Sequence, residues 1–308
     1  MPRSAATEAG VHQGRRVIPF VLASIAVATA AGLLHRRRVI RTIESEFASR
    51  LGVDAHEVAD GAEGFTLAGT TGRGLLLLHG SGDTPQSLRY LADHLHAAGY
   101  GVHAPLLPGH GRTPYAFDVA TAADYHDAVR AAFAEVRGSH AWVGVIGLSM
   151  GGALAARLAV ESSGVRVLVL LVPYMIPPRD VRTARTVSWL WSPLAPYLRG
   201  RGETSVRDPA ARTASHAYGW FSAGALEALI TTADDGRRAL PKLALPVLVI
   251  HSTQDNRIPR ALAEEALAAI TAPIERHWLE GCGHVITVDY CKDTVAELVL
   301  AFLARHAG

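Results

Sequence analysis

The sequence has few cysteines and no strong net charge. Cys282 and Cys291 are its two cysteines, too few for a disulfide framework and outside any zinc-binding spacing. We interpret both as free thiols, and a pairing across the eight intervening residues stays open for a domain outside the cytoplasm. No internal repeat of fixed period is present, which excludes solenoid and propeller architectures.

The formal net charge is only +2, and it is unevenly distributed. Residues 1–41 contain seven arginines and one glutamate, a net charge of +6, while the rest of the chain carries −4. A mildly acidic body argues against a nucleic-acid partner, because binding to phosphates needs a basic surface. We expect the basic segment to lie at a lipid headgroup surface instead.

One long apolar run is present, residues 17–34, VIPFVLASIAVATAAGLL. As a helix rising about 1.5 Å per residue it would span roughly 27 Å, just enough to cross a bilayer. Arginines on both sides oppose cleavage and favour a single-pass membrane anchor, and their slight excess after the run favours a cytoplasmic location for the rest of the chain. The alternatives are export after cleavage of a signal peptide at Ala28-Thr29-Ala30, a buried N-terminal helix and a misplaced start codon.

From Gly64 onward, short β-prone runs alternate with longer amphipathic segments. This alternation predicts an α/β fold with a mainly parallel, doubly wound sheet, and we assign residues 42–308 to one such domain after the N-terminal segment 1–41. Residues 173–240 interrupt the alternation with prolines, arginines and tryptophans. A segment of that length between two strong strands predicts an inserted helical cap, or lid.

A serine between glycines marks the strongest candidate for chemistry. Gly147-Leu148-Ser149-Met150-Gly151 has the form G-x-S-x-G and stands between a predicted strand and a predicted helix. Flanking glycines lack the Cβ atoms that would collide with neighbouring backbone in such a sharp turn. The pattern predicts Ser149 as a nucleophile; the alternative is a simple glycine turn, and the spacing matches neither common phosphate-binding loop.

A serine hydroxyl needs a base to take its proton, and the base needs an acid to orient it. Asp255 follows a predicted strand ending near Ser252, and His284 follows the next one. Both stand at carboxyl ends of strands, where open α/β sheets place their sites, and the order Ser, Asp, His fits the mechanism. Asp289 and Asp293 are the alternative acids, ranked lower because they follow the histidine.

Acyl transfer from such a serine also needs donors for the oxyanion of the tetrahedral intermediate. The N–H of Met150, directly after the nucleophile, is the first expected donor. We assign the second to the N–H of Ser81 in the loop His79-Gly80-Ser81-Gly82, which follows an early predicted strand. His79 itself is expected to support the loop rather than act as a second base.

From about Phe65 to the C-terminus the chain resembles the α/β-hydrolase superfamily, and within it bacterial carboxylesterases and monoacylglycerol lipases with a small lid. The segments that carry the resemblance are L-L-L-L-H-G (75–80), G-H-G (109–111), G-L-S-M-G-G (147–152), V-I-H-S-T-Q-D (249–255) and G-H-V-I-T-V-D (283–289). The resemblance implies a Ser149–His284–Asp255 triad, an oxyanion hole formed by the Ser81 and Met150 amides, and a lid over an acyl pocket. It also implies a small-molecule acyl ester, including a lipid ester, as substrate, with no cofactor and no metal.

The lid contains aromatic residues that could contact the acyl group: Trp189, Trp191, Trp220 and Phe221. The alternative is that these residues pack the lid onto the core. A thioesterase or acyltransferase would use the same triad, because the first half-reaction is shared, and a non-catalytic ligand-binding homologue is a third hypothesis. The sequence therefore favours a serine carboxylic-ester hydrolase and leaves its acyl chain length, headgroup and oligomeric state open.

Overall fold

The computed structural model describes residues 8–52, 58–200 and 205–306. The strands are β1 (Phe65–Leu67), β2 (Arg73–Leu78), β3 (Gly101–Ala104), β4 (Trp142–Leu148), β5 (Val165–Leu171), β6 (Leu198–Arg199), β7 (Trp220–Phe221), β8 (Val247–Ser252) and β9 (Ile274–Leu279). The α-helices are α1 (Glu8–Leu51), α2 (Arg89–Ala97), α3 (Pro114–Val119), α4 (Ala122–Ser139), α5 (Met150–Glu161), α6 (Arg179–Thr186), α7 (Ser188–Trp191), α8 (Pro209–Thr213), α9 (Ala223–Ala239), α10 (Arg260–Leu267) and α11 (Lys292–His306). Short 3-10 helices occupy Pro85–Leu88 and Leu240–Lys242.

Seven of the strands form one sheet in the order β1-β3-β2-β4-β5-β8-β9. The edge strand β1 runs antiparallel to β3, and every other neighbouring pair is parallel. The central strands are continuous apolar runs that are almost wholly buried, as expected when helices cover both faces of a parallel sheet. The predicted α/β-hydrolase type of fold, with a mainly parallel sheet, is therefore confirmed.

Successive residues of β2 show how the two faces are filled, since side chains alternate along a strand. Leu76 and Leu78 belong to the cluster formed with α4, α5, α9 and α10. Leu75 and Leu77 belong to the opposite cluster, formed with α2 and α11. All four leucines are fully buried, and each such burial stabilises the fold by roughly 1.5–3 kcal/mol. The resulting rigid core holds the carboxyl ends of the strands in fixed positions.

The predicted insertion lies between β5 and β8 and contains α6 to α9 with the two-stranded ribbon β6–β7. Its last helix, α9, belongs to the helical layer of the core: a Cβ on Gly236 would lie 2.6 Å from the Ala153 Cα, so the backbones of α9 and α5 approach closely. Helix α6 is joined to α9 by an ion pair between Arg182 and Asp234. The lid proper therefore consists of α6 to α8 and the ribbon.

Helix α1 precedes the sheet, and its last turns pack on the domain through Ile43 and Phe47, which are buried. Among the residues that the structure describes, no helix has a stretch long and apolar enough to cross a membrane. The spanning segment predicted over residues 17–34 includes residues 17–21 and 25, whose side chains lie outside the described part. The structure thus gives the predicted membrane helix no support.

Candidate active site

Ser149 occupies the tight turn between β4 and α5. Its backbone has a φ of 54° and a ψ of −116°, a conformation that side-chain-bearing residues rarely adopt. The turn is held by the Ser149 N–H, which donates to Leu171 O at 2.9 Å, and by its carbonyl, which accepts from Tyr174 N at 3.0 Å. This geometry lifts the side chain above the carboxyl edge of the sheet, as a nucleophile requires.

The glycines on both sides of Ser149 are required by close backbone contacts. A Cβ on Gly147 would lie 2.2 Å from Gly151 O, and a Cβ on Gly151 would lie 2.1 Å from Leu78 O. Neither distance is compatible with a real side chain, because the contacts are to backbone atoms that α5 and β2 hold in place. The G-x-S-x-G spacing therefore follows directly from the packing of β2, β4 and α5.

The structure brings Ser149, His284 and Asp255 together. His284 Nε2 lies 2.8 Å from Ser149 Oγ, and His284 Nδ1 lies 2.7 Å from Asp255 Oδ2. A carboxylate at Nδ1 keeps the proton on that nitrogen, which leaves Nε2 free to accept the serine proton. All three side chains are buried, so the hydrogen-bonded chain is shielded from water.

Asp255 is held as a carboxylate by its surroundings. Burial raises its pKa, but the charge and hydrogen bond of His284 and the N–H groups of Ile258 and Arg257 outweigh burial, so the net shift is downward. Its Oδ1 accepts from Arg257 N at 2.7 Å and from Ile258 N at 2.9 Å, leaving Oδ2 for the histidine. An ionised acid in this position orients the imidazole and would stabilise an imidazolium formed when His284 accepts a proton.

The two alternative acids contact other groups. Asp293 accepts a hydrogen bond from the Tyr90 hydroxyl, in an exposed contact between α11 and α2. The Asp289 carboxylate accepts hydrogen bonds from four backbone N–H groups and none from His284. Asp255 is accordingly the acid that hydrogen-bonds to the histidine.

The loop after β2 runs directly against the nucleophile: a Cβ on Gly80 would lie 3.3 Å from the Ser149 Cβ. This loop carries Ser81, and Met150 is the first residue of α5, so its N–H is one of the free donors at a helix N-terminus. Both residues assigned to the oxyanion hole therefore flank the serine. The role of their N–H groups as oxyanion donors stays a prediction.

His79 is engaged at both ring nitrogens. Its Nδ1 donates to Gly80 O at 2.9 Å, and its Nε2 accepts from Leu107 N at 3.0 Å. Burial and the neighbouring charge of His110 hold the pKa of His79 well below its usual value. A neutral ring with both nitrogens occupied supports the loop and cannot serve as a second base.

His284 lies in a short loop that is closed by a disulfide between Cys282 and Cys291. The interpretation of the two cysteines as free thiols is therefore wrong. Their pairing depends on the chain between them turning back on itself, which the spacing of the cysteines alone does not indicate.

The turn of this loop is organised by Asp289, which is fully buried. Its carboxylate accepts from Gly283 N at 2.7 Å and Tyr290 N at 2.9 Å, the neighbours of the two cysteines, and from Arg207 N and Asp208 N at 2.9 Å each. Burial raises the pKa of Asp289, but the four N–H groups outweigh burial and leave it below its usual value. One carboxylate thus joins the histidine loop to the lid.

A cavity of about 710 Å³ opens above Ser149 and His284. Its wall is largely apolar, with contributions from the core and the lid: Phe117, Leu148, Tyr218, Trp220, Phe221, Leu226 and Leu229. Of the predicted lid contacts, Trp220 and Phe221 line the cavity. Trp189 and Trp191 do not line it, contrary to expectation: Trp189 is 71% exposed, and the Trp191 indole donates to Ala184 O.

One residue of the cavity wall, Asp83, was not predicted from the sequence. Asp83, in the loop after Ser81, is buried and lines the cavity beside Ser149 and His284. Burial raises its pKa to about 6, although hydrogen bonds from Ser87 and Thr84 and the charge of His284 lower it. The sequence signal that could have identified it is an acidic residue directly after the predicted oxyanion loop, where a carboxylate next to a developing negative charge is unexpected.

No group of three or more His, Cys, Asp or Glu side chains is placed to hold a metal ion within residues 8–52, 58–200 and 205–306.

Comparison with known proteins places this site in a wider context. The sequence model of a protein family described as "Serine aminopeptidase, S33" matches residues 71–290. The chain is 28% identical to a thermostable monoacylglycerol lipase of Bacillus sp. (strain H-257), over 83% of this chain and 99% of that protein. It is 24% identical to a carboxylesterase of Bacillus subtilis (strain 168), over 76% of this chain and 93% of that protein.

Solved structures are similar as well. A structure described under "LipS and LipT, two metagenome-derived lipolytic enzymes" is 30% identical with a TM-score of 0.74, covering 81% of this chain and all of that chain. A monoacylglycerol lipase of Paleococcus ferrophilus, at 17% identity and a TM-score of 0.69, shares the fold over 79% of this chain and 98% of its own.

Proposed function

Because the chain belongs to the Serine aminopeptidase, S33 family within the α/β-hydrolases, we propose that it hydrolyses carboxylic esters through an acyl-enzyme on Ser149. The observation that carries the proposal is the hydrogen-bonded chain from Ser149 Oγ through His284 to Asp255, at 2.8 and 2.7 Å. The relatives named monoacylglycerol lipase and carboxylesterase support an ester as the substrate.

In the first half-reaction His284 Nε2 takes the Ser149 proton while Oγ attacks the ester carbonyl carbon. The resulting oxyanion would accept hydrogen bonds from the N–H groups of Ser81 and Met150. Asp255 stabilises the imidazolium, which then gives its proton to the leaving alcohol as the tetrahedral intermediate collapses to the acyl-enzyme. In the second half-reaction His284 takes a proton from water, the hydroxide attacks the acyl carbon, and the acid leaves as Ser149 regains its proton.

The cavity supports an apolar acyl group as the part of the substrate that is recognised. About 710 Å³ lies within the usual range for small-molecule sites, and its aromatic and aliphatic wall suits a hydrocarbon chain better than a charged group. We therefore propose a small acyl ester, including a monoacylglycerol, as the substrate class. A thioester would enter the same half-reaction and is an outcome of the test below.

The cellular location is also a proposal. The disulfide beside His284 favours an oxidising compartment, since such bonds are rare in cytosolic proteins. This supports the exported alternative over the cytoplasmic location that the arginines around residues 17–34 favour. Membrane association through that segment stays a prediction from the sequence.

The test is the initial rate on p-nitrophenyl and glyceryl esters of increasing acyl length, and on acyl thioesters, for the wild type, Ser149→Ala and Ser139→Ala. Removing a triad nucleophile should lower kcat by at least about 10⁴-fold, whereas Ser139, an exposed residue at the end of α4, should be replaceable without loss. A phosphonate should label the wild type at Ser149. A wild type inert to every ester, thioester and phosphonate would refute the proposal.

A further inference from the structure

Helix α1 is tied to the lid at two points. At the first, Arg36 Nη1 donates to the carbonyl oxygen of Ser192, just after α7, at 2.6 Å. At the second, Arg199 Nη2 in β6 donates to both carboxylate oxygens of Glu46, at 3.0 and 2.8 Å. We call residues 36–47 of α1 the brace, because they span these two contacts.

Close to the Glu46 contact the brace buries two apolar side chains, Ile43 and Phe47. Ile43 and Phe47 belong to a cluster with Phe117, Tyr197, Tyr218, Trp220 and Ala225. The Phe47 ring, only 3% exposed, lies 5.2 Å from the Tyr218 ring, and the Tyr218 ring lies 4.8 Å from Phe117 and 4.7 Å from Trp220. Phe117, Tyr218 and Trp220 line the cavity, so Phe47 supports this aromatic wall from behind.

Tyr218 also joins the wall to the predicted oxyanion loop. Its N–H donates to Gly82 O at 3.0 Å, one residue after Ser81. Its hydroxyl lies 2.6 Å from Arg112 O and accepts from Arg112 N at 2.9 Å. A ring anchored at its backbone and its hydroxyl can still tilt about that axis, and the Phe47 ring packs against it at 5.2 Å.

The brace lies outside the part of the chain shared with the family, since that match begins at residue 71. The 30% identical lipolytic relative is covered completely by 81% of this chain. The family match that supports ester hydrolysis thus leaves the brace out, and its contacts with the cavity wall point to an effect on which esters are accepted.

We propose that the brace is a specificity element that sets the width of the acyl cavity by fixing the Tyr218 and Trp220 rings. The proposal rests on the proposed ester hydrolysis. Removing the Phe47 ring opens space behind Tyr218, so that the wall retreats and longer or bulkier acyl groups fit. Acetyl esters, which do not reach the wall, should be affected little.

The experiment compares kcat/KM on p-nitrophenyl esters from acetate to dodecanoate for full-length wild type, Phe47→Ala and Leu34→Ala. Leu34 is a matched control on the same helix, 62% exposed. In Phe47→Ala the ratio of kcat/KM for dodecanoate to that for butyrate should rise by about tenfold, mainly through KM, since a few methylenes of pocket space are worth that much. Leu34→Ala should keep the wild-type ratio.

Two further variants keep the test decisive if Phe47→Ala does not fold. Phe47→Leu retains most of the apolar volume and should give a smaller shift in the same direction. Glu46→Gln weakens the contact with Arg199 without opening a cavity, and it should broaden the profile slightly. Folded variants whose selectivity profiles match the wild type would overturn the brace proposal while the proposed function stands. A wild type inert to every ester, thioester and phosphonate would instead refute the proposed function.

Discussion

Opening the disulfide between Cys282 and Cys291 should lower the free energy of unfolding by about 2.6 kcal/mol. The cysteines are nine positions apart, and a cross-link over a loop of that length removes about 8.7 cal/mol/K of entropy from the unfolded chain, which gives this energy at 25 °C. The loop around His284 should nevertheless keep its shape, because the Asp289 carboxylate accepts four N–H groups without any help from the cross-link. We expect kcat to fall by no more than about threefold.

The assay is equilibrium unfolding in urea, followed by tryptophan fluorescence, on oxidised wild type and on wild type reduced with a phosphine. Reduction keeps every side-chain atom in place, so the difference isolates the cross-link. Cys282→Ala/Cys291→Ala is the control and should not respond to the reductant. Equal unfolding energies for the oxidised and reduced protein would refute the entropy argument. A folded, reduced protein with roughly 100-fold less activity would refute the role given to Asp289.

Two other predictions concern the oxyanion loop and the nucleophile turn. Gly151→Ala should destabilise the fold by about 3 kcal/mol or more, because its Cβ would lie 2.1 Å from Leu78 O, whereas Gly138→Ala, with open space around it, should melt like the wild type. The buried Asp83 holds its proton up to a pKa of about 6 when folded, against 3.8 when unfolded. Unfolding therefore releases this proton between those values, and stability should fall by about 3 kcal/mol as pH rises through that window. Asp83→Asn should remove this fall in pH-dependent urea unfolding, and equal pH dependence in both proteins would contradict the assignment.

Much of the fold could be predicted because each central strand is a continuous apolar run that ends in a glycine-rich or polar loop. The runs before His79, Ser149 and Asp255 are the observed strands β2, β4 and β8. Parallel strands present their carboxyl ends at one edge, so residues that follow these runs come together regardless of their distance in sequence. This is why Ser149, Asp255 and His284 could be singled out as neighbours without coordinates.

The remaining features depend on contacts between distant segments, which no local pattern contains. Cys282 and Cys291 are brought together by the turn that Asp289 holds through hydrogen bonds from Gly283 N and Tyr290 N. The same carboxylate accepts a hydrogen bond from Arg207 N in the lid. The boundary between the lid and the core within the insertion could not be predicted either. Helix α9 has the same amphipathic pattern whether it covers the cavity or packs on α5. Trp189, a candidate for substrate contact, is mostly exposed because residues two apart on a helix point in nearly opposite directions, so α7 cannot turn both Trp189 and Trp191 inward.

The lid is hydrogen-bonded to the protein on both sides of the Ser149–His284–Asp255 site. These contacts suggest how substrate selectivity can change while ester hydrolysis is retained. On one side Tyr218 N donates to Gly82 O, next to the predicted oxyanion donor Ser81. On the other side Asp289 joins the backbone of Arg207 to the loop of His284. The lid segment from 205 to 218 thus contacts both the loop of the predicted oxyanion donor and the loop of His284, and the brace contacts that segment from outside. Substitutions in the brace act on the cavity wall through side-chain packing, whereas substitutions at Asp289 act on the position of His284, the proposed base, so the two should separate as effects on KM and on kcat.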